Sequence, residues 1–266
     1  MKKFLLILIL LNSCSTIDID EKQDNFLSLN KGQFSENVYN MSEFDIFSVK
    51  KIINNNILTV YIEGDGQAWL DRFTPSLDPT PSDPVAFKLA LEDNSENVIY
   101  LARPCQYIMS SDCNKTVWTS LQYSETILET YKSILSELSK NYKEIHLVGY
   151  SGGAAIAIYL ASIEDLKIKS IRTVAGNINP DEITLLLNLS GYKKSVNFYS
   201  IEDKIKDISQ THYYGTKDKV IPLELHLNFE ERNLKNKCIK IEQVSASHNK
   251  GWDDFWKKNY QLNLNC

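Results

Sequence analysis

Three polar side chains in this chain could together run a serine nucleophile: Ser151, Asp218 and His248. A serine hydroxyl attacks poorly until a base takes its proton during the attack. Histidine suits that role when a carboxylate fixes its tautomer and stabilises the imidazolium. The surroundings of Ser151 strengthen the reading. It lies in the stretch from His146 to Ala155, with Gly149 and Gly153 two residues to either side. A chain that turns sharply from strand into helix holds the turn residue in a strained conformation, and only glycine-sized neighbours let the two arms pass. The hydroxyl of Ser151 is then pushed into the open. A lone G-x-S-x-G is a weak signal, because a small-residue strand-to-helix junction need carry no chemistry.

The elements that must position these groups are legible around them. Ile145, Leu147 and Val148 are β-prone, and Ala154 to Ala161 is a good helix former with an apolar face. The run from Thr211 to Pro222 reads as a short strand ending at Gly215, a turn carrying Asp218, and a proline stop. Ile239 to Val244 alternates apolar and polar residues like a strand, and the small-residue loop Ser245 to Trp252 after it carries His248. Nucleophile, acid and base thus follow strands in that order. Asp218 could instead merely cap its own turn, which leaves Asp203 and Asp207 as the other acids. The remaining histidines fit worse. His146 enters the elbow strand from behind, His212 begins a strand and His226 follows Pro222, so structural or solvent-exposed roles are expected for them.

With these motifs in this order, the chain from about Leu58 to its end resembles the α/β-hydrolase family. The resemblance implies Ser151 as nucleophile, His248 as general base and then acid, and Asp218 as the orienting carboxylate. It also implies an oxyanion hole built from two backbone N–H groups. One belongs to Gly152, after the nucleophile. The other comes from the early segment Leu58 to Trp69, at Asp65 or Gly66, where Glu63 stands in place of the family's common histidine. Five of the ten glycines lie in these two motifs, so glycine is concentrated where backbone must approach a substrate. The implied activity is hydrolysis of a carboxylic ester, on a small-molecule or lipid-like substrate. A peptidase or acyltransferase could use the same triad, and a noncatalytic surface binding module is the reading from another class. No cofactor is expected. No metal is expected either, since neither Cys-x7-Cys nor the histidine spacing resembles a zinc site.

The implied fold is a three-layer α/β-hydrolase fold: a mostly parallel central sheet with helices on both faces. An early hairpin is expected from Phe44 to Glu63, turning at Asn54 to Asn56, and a strand near Asn97 to Ala102. The apolar spacing predicts a helix from Trp118 to Lys140, a strand over Ile168 to Ala175 and a helix over Asp181 to Leu189. Ligands in such sheets bind at the carboxyl ends of the strands. The loop from Thr74 to Pro84 holds four of the seven prolines and could wall the site stiffly, or serve as a plain connector. Residues 177 to 210 are too few for a large cap, so an open, shallow site is expected.

The N-terminus carries a different message. Lys2 and Lys3 precede the apolar run Phe4 to Leu11, which is too short to span a bilayer and reads as a secretory signal over residues 1–13. The ending Leu11 to Cys14 resembles a bacterial lipoprotein signal, with a lipid on Cys14 anchoring the protein to a membrane. The polar, mostly acidic residues 14–37 are expected to form a tether and residues 38–266 the domain. The protein is then exported and held at the cell envelope. Cysteine usage agrees: setting Cys14 aside leaves four, which suggests two disulfides. Three connectivities are possible, and the local pairing Cys105–Cys113 with Cys238–Cys266 is the expected one. The formal net charge of −5 disfavours a nucleic-acid partner.

Overall fold

Short apolar runs buried from both sides set the centre of the sheet. The computed structural model describes residues 19–262, 264 and 266, so the signal segment and Cys14 lie outside the described residues. Eight strands pair in the order β1-β2-β4-β3-β5-β6-β7-β8. From β4 (Val98–Leu101) through β3 (Ile57–Ile62), β5 (Glu144–Tyr150), β6 (Ile168–Val174), β7 (Ser209–Gly215) and β8 (Ile239–Val244) every pairing is parallel. Two strands at one edge, β1 (Ser35–Asn40) and β2 (Asp45–Lys51), run antiparallel.

Strand alternation divides the core into two layers. Ile145 and Leu147 of β5 join Leu58, Val60 and Ile62 of β3 on one face, under α3 (Glu125–Asn141) and α4 (Gly153–Ala161). Val148, Tyr150 and Tyr61 face the other way, toward α1 (Ile19–Asn30), α2 (Val85–Glu92) and α8 (Trp252–Asn259). The result is a three-layer α/β-hydrolase fold. Between β6 and β7 stand only α5 (Pro180–Leu186) and α6 (Tyr199–Ile205), and α7 (Leu223–Asn233) joins β7 to β8.

The early hairpin expected from Phe44 to Glu63 does not form. Strand β4 lies between β2 and β3, pairing with Ser48 on one side and Thr59 on the other. The Asn54 turn spans this inserted strand, and Asn97 Oδ1 just before β4 accepts the N–H groups of Ile53 and Asn54 at 3.0 and 2.9 Å. The hairpin that does form joins β1 to β2.

Residues 19–37 are not a tether. Helix α1 buries Phe26, whose ring stacks on Phe87 with centroids 3.9 Å apart, and Lys22 is buried in an ion pair with Asp78 at 2.6 Å. A polar average concealed a few apolar residues at useful spacing. The helix expected from Trp118 starts only at Glu125, because residues 114–124 close a series of turns that bury Trp118 and Tyr123. Pro222 is no stop; it stands at the N-cap of α7, where its fixed φ suits a helix start. His212 lies in the middle of β7, opposite Thr173. Both disulfides have the local connectivity, with Cα separations of 5.7 Å for Cys105–Cys113 and 4.8 Å for Cys238–Cys266.

Candidate active site

Ser151 is where β5 breaks into α4, and its φ of +49° is the left-handed conformation that a non-glycine residue holds only under constraint. The flanking glycines are required by their neighbours. A Cβ on Gly149 would sit 2.5 Å from Ala154 Cα, and one on Gly153 would sit 2.3 Å from the Ile62 carbonyl oxygen. The turn is fixed by backbone bonds as well: Ser151 N–H donates to Val174 O, and Ser151 O accepts from Ala154 and Asn177.

Asp218 and His248 follow the ends of β7 and β8, two and three strands beyond the elbow strand β5. His248 Nε2 lies 3.0 Å from Ser151 Oγ, and His248 Nδ1 lies 2.9 Å from Asp218 Oδ2. The other Asp218 oxygen accepts the N–H groups of Val220 and Ile221 at 2.8 and 3.1 Å. Burial pushes the Asp218 carboxyl up, but the hydrogen bond and charge of His248, with the two N–H donors, outweigh it and leave its pKa below the ordinary value. An ionised Asp218 holds Nδ1 as the protonated nitrogen and leaves Nε2 to accept from serine.

The histidine loop is braced from two sides that the sequence reading passed over. Trp252 Nε1–H lies 2.8 Å from Ser247 O and 2.9 Å from His248 O. The Tyr150 hydroxyl donates to Asn249 Oδ1 at 2.8 Å, with His248 O 3.3 Å away. The other histidines stand apart. His146 pairs with Ser170 Oγ and His212 with Thr173 Oγ1, while His226 is buried in α7; burial lowers their pKa values to about 4, 3 and 4, which keeps all three neutral at pH 7. Asp203 and Asp207 line a separate surface depression of about 750 Å³ beside α6 and α7 that holds no part of the triad.

Opposite the elbow, the segment Glu63 to Gly66 passes close over Gly152. A Cβ on Gly152 would meet Asp65 Oδ1 at 1.9 Å, so any larger residue there would have to displace the Asp65 side chain. Gly66, at φ +61°, is pressed against the Pro79 carbonyl, which a Cβ would approach to 2.1 Å. Among the described residues no acceptor is bonded to the N–H of Gly152 or of Asp65. Neither N–H is committed to a partner there. Glu63 is buried and fills the place behind this loop, accepting Gly64 N–H at 2.9 Å and the Tyr100 hydroxyl at 3.2 Å. Burial dominates its ionisation, opposed by Gly64, Ala86 and Tyr100 donors, and its pKa rises to about 7.

Ser151, His248, Glu63, Asp65 and Gly66 line one cleft of about 410 Å³. Its walls include Trp69, Pro81, Ser82 and Asp83, so the proline-rich loop does border the site, and Val220 and Asn249 close the far side. Ser151 itself is only 7 % exposed, which makes the nucleophile recessed in its cleft. Among the described residues no group of three or more His, Cys, Asp or Glu side chains is placed to hold a metal ion, and no helix is long and apolar enough to cross a membrane.

Neither a family model nor a curated protein matches the sequence. Solved structures do resemble the fold. The Pyrococcus furiosus esterase Pf2001 superposes with a TM-score of 0.61 at 16 % identity, covering 87 % of this chain and 92 % of that one. Est1E from Butyrivibrio proteoclasticus gives 0.56 at 11 % identity, over 84 % of this chain and 95 % of its own. An alpha-beta serine hydrolase homologue from Coxiella burnetii gives 0.57 at 15 % identity, over 85 % and 97 %. At such identities the likeness establishes the α/β-hydrolase fold, and the site must speak for the chemistry.

Proposed function

We propose that this protein is a serine hydrolase acting on carboxylic esters through an acyl-enzyme on Ser151, His248 and Asp218. The observation that carries the reading is the unbroken hydrogen-bond chain from Ser151 Oγ through His248 to Asp218, built on a nucleophile at positive φ. In the acylation step Ser151 Oγ attacks the ester carbonyl while His248 Nε2 takes its proton. The resulting oxyanion sits between Gly152 N–H and the N–H of Asp65 or Gly66, each donor worth about 3 to 4 kcal/mol in the transition state. His248 then passes the proton to the leaving alcohol. In the second half it takes a proton from water, which attacks the acyl-serine, and then returns that proton to Ser151 Oγ as the acyl–oxygen bond breaks and the acid is released. The likeness to esterases and a serine hydrolase homologue fits this class. Cleavage of amides or transfer to a second alcohol would use the same parts, and turnover of amides or dependence on an acceptor would separate those activities.

The test is labelling with a fluorophosphonate, which reports an activated serine whatever the substrate. The native protein is expected to label at Ser151 and the Ser151→Ala variant not at all; an unlabelled, folded native protein would leave a noncatalytic binding module as the better reading. We also propose that the chain is exported and lipid-anchored through Cys14. Two disulfides suit an oxidising compartment, and the Lys2 to Cys14 segment has the pattern of a lipoprotein leader. Mass analysis of the mature N-terminus decides it: an acylated Cys14 is expected, and a chain still starting at Met1 refutes it.

A further inference from the structure

The oxyanion loop carries a negative side chain where the reaction would make negative charge. Asp65 Oδ1 lies against Gly152, close enough that a Cβ there would have to push it aside. An unpaired carboxylate in that position would oppose the oxyanion that the neighbouring N–H groups are placed to hold. Its charge is met by Arg103, just beyond the end of β4. Arg103 Nη1 is 2.8 Å from Asp65 Oδ1, with the arginine side chain only 6 % exposed, and Nη2 donates to Gln122 O at 2.9 Å. The guanidinium also stands over the Tyr123 ring, 5.5 Å from its centroid. Asp65 is the one acidic side chain it pairs with among the described residues.

The same segment grips the loop a second time. Gln106 Nε2 donates to Gly64 O at 3.0 Å, while Gln106 Oε1 accepts Arg103 N–H at 2.9 Å. Between these two residues Cys105 is stapled to Cys113. The chain after β4 is thus a rigid bracket with two polar contacts on the oxyanion loop, one of which also cancels its charge.

We infer that Arg103 is a positioning residue for the reaction: it holds Asp65 so that the loop N–H groups face the oxyanion, and it neutralises the Asp65 carboxylate beside that oxygen. The inference rests on the ester-hydrolase reading of the site. It predicts a sign that lost packing would not produce. Removing the cation alone exposes the carboxylate's repulsion, and removing the carboxylate as well relieves it. The pair also keeps the buried Arg103 compensated, which Asp65→Asn alone would not.

The experiment compares the native protein with Arg103→Met, Asp65→Asn and the double variant, measuring kcat and KM on p-nitrophenyl acetate and checking folding by thermal melt. Arg103→Met is expected to lower kcat at least about tenfold with KM within about twofold, the pattern of an interaction made mainly in the transition state. Adding Asp65→Asn should then restore kcat at least about threefold. If Arg103→Met does not fold, Arg103→Gln, which also removes the cation, is read the same way with and without Asp65→Asn. A kcat unchanged by the arginine substitution, or lowered further by Asp65→Asn in its background, overturns the inference while a labelled, active native protein keeps the hydrolase reading. A native protein that neither labels nor turns over ester sinks both.

Discussion

Tyr150 and Asn249 are joined by a 2.8 Å hydrogen bond that links the residue before the nucleophile to the residue after the base. They are distant in sequence, one at the end of β5 and the other in the loop after β8, so this bond ties the nucleophile elbow to the histidine loop. Burial first, then nearby carboxylates including Glu63 and Asp218, keeps the Tyr150 phenol well above its ordinary pKa, so it remains a donor across the working pH range.

Replacing Tyr150 by phenylalanine keeps the ring that packs against Gly64 and removes only the hydroxyl. Stability is expected to fall by about 1 kcal/mol, the usual net value of one such bond. The kcat on p-nitrophenyl acetate should drop several-fold with KM little changed, because His248 loses a brace on its loop. Equal kcat in the variant and the native protein would show that the histidine loop does not need the Tyr150 brace.

Asp218→Asn tests the tautomer argument. An amide at this position can present its NH2 to Nδ1, which turns the imidazole so that Nε2 carries the proton and no longer accepts from Ser151. The expected loss in kcat is about 10³ to 10⁴. The acid limb of stability should change too. The Asp218 pKa is lowered by folding, so the native carboxylate contributes stability above the unfolded carboxyl pKa, and that contribution is lost as pH falls through the folded value. Acid unfolding profiles of the two proteins should therefore converge below about pH 4 relative to their separation at pH 6.

Much of this site could be read from the chain because its parts are local. A nucleophile between two glycines, an acid three residues after Gly215, and a histidine in a small-residue loop after an alternating strand each announce themselves within a dozen residues. What escaped was set by distant partners. Arg103 carries no local mark, and its role depends on β4 lying beside β3, an arrangement that the hairpin expectation missed. Strand pairing is nonlocal, and the Asn54 turn looks the same whether it closes a hairpin or crosses over a neighbour. The sequence around Phe26 misled for a related reason: its burial comes from Phe87 and Phe47, far along the chain. Glu63 was visible as a departure from the family's histidine, while its buried setting against Tyr100 was not.

Glu63 makes stability depend on pH in the direction opposite to Asp218. Its pKa rises from 4.5 to about 7 on folding, so the folded state holds the proton more tightly than the unfolded chain. Below about pH 4.5 it is protonated in both states and costs nothing. As pH climbs through 7 the folded protein loses this advantage, and the penalty levels off at about 3 kcal/mol, taking 1.36 kcal/mol per pKa unit. Glu63→Gln removes the titration while keeping an oxygen to accept Gly64 N–H. The Tm difference between variant and native protein should move in the variant's favour by several degrees between pH 5 and pH 8.5. A difference that stays flat across that range would mean Glu63 does not change its protonation there.

The two disulfides should separate stability from catalysis. Cys238–Cys266 ties the chain end to the start of β8, at the opposite end of that strand from the His248 loop. Cys105–Cys113 lies in the bracket that carries Arg103 and Gln106 against the oxyanion loop. By loop-closure entropy the first closure is worth about 3 to 4 kcal/mol and the second, smaller loop about 2 to 3 kcal/mol. Replacing each pair by serines should therefore lower stability in both cases, more for Cys238 and Cys266. Only the Cys105→Ser, Cys113→Ser protein is expected to lose kcat, by several-fold at a temperature where both variants remain folded. Parallel loss of kcat in the two variants would mean that the bracket keeps its shape without the staple and that activity simply follows stability.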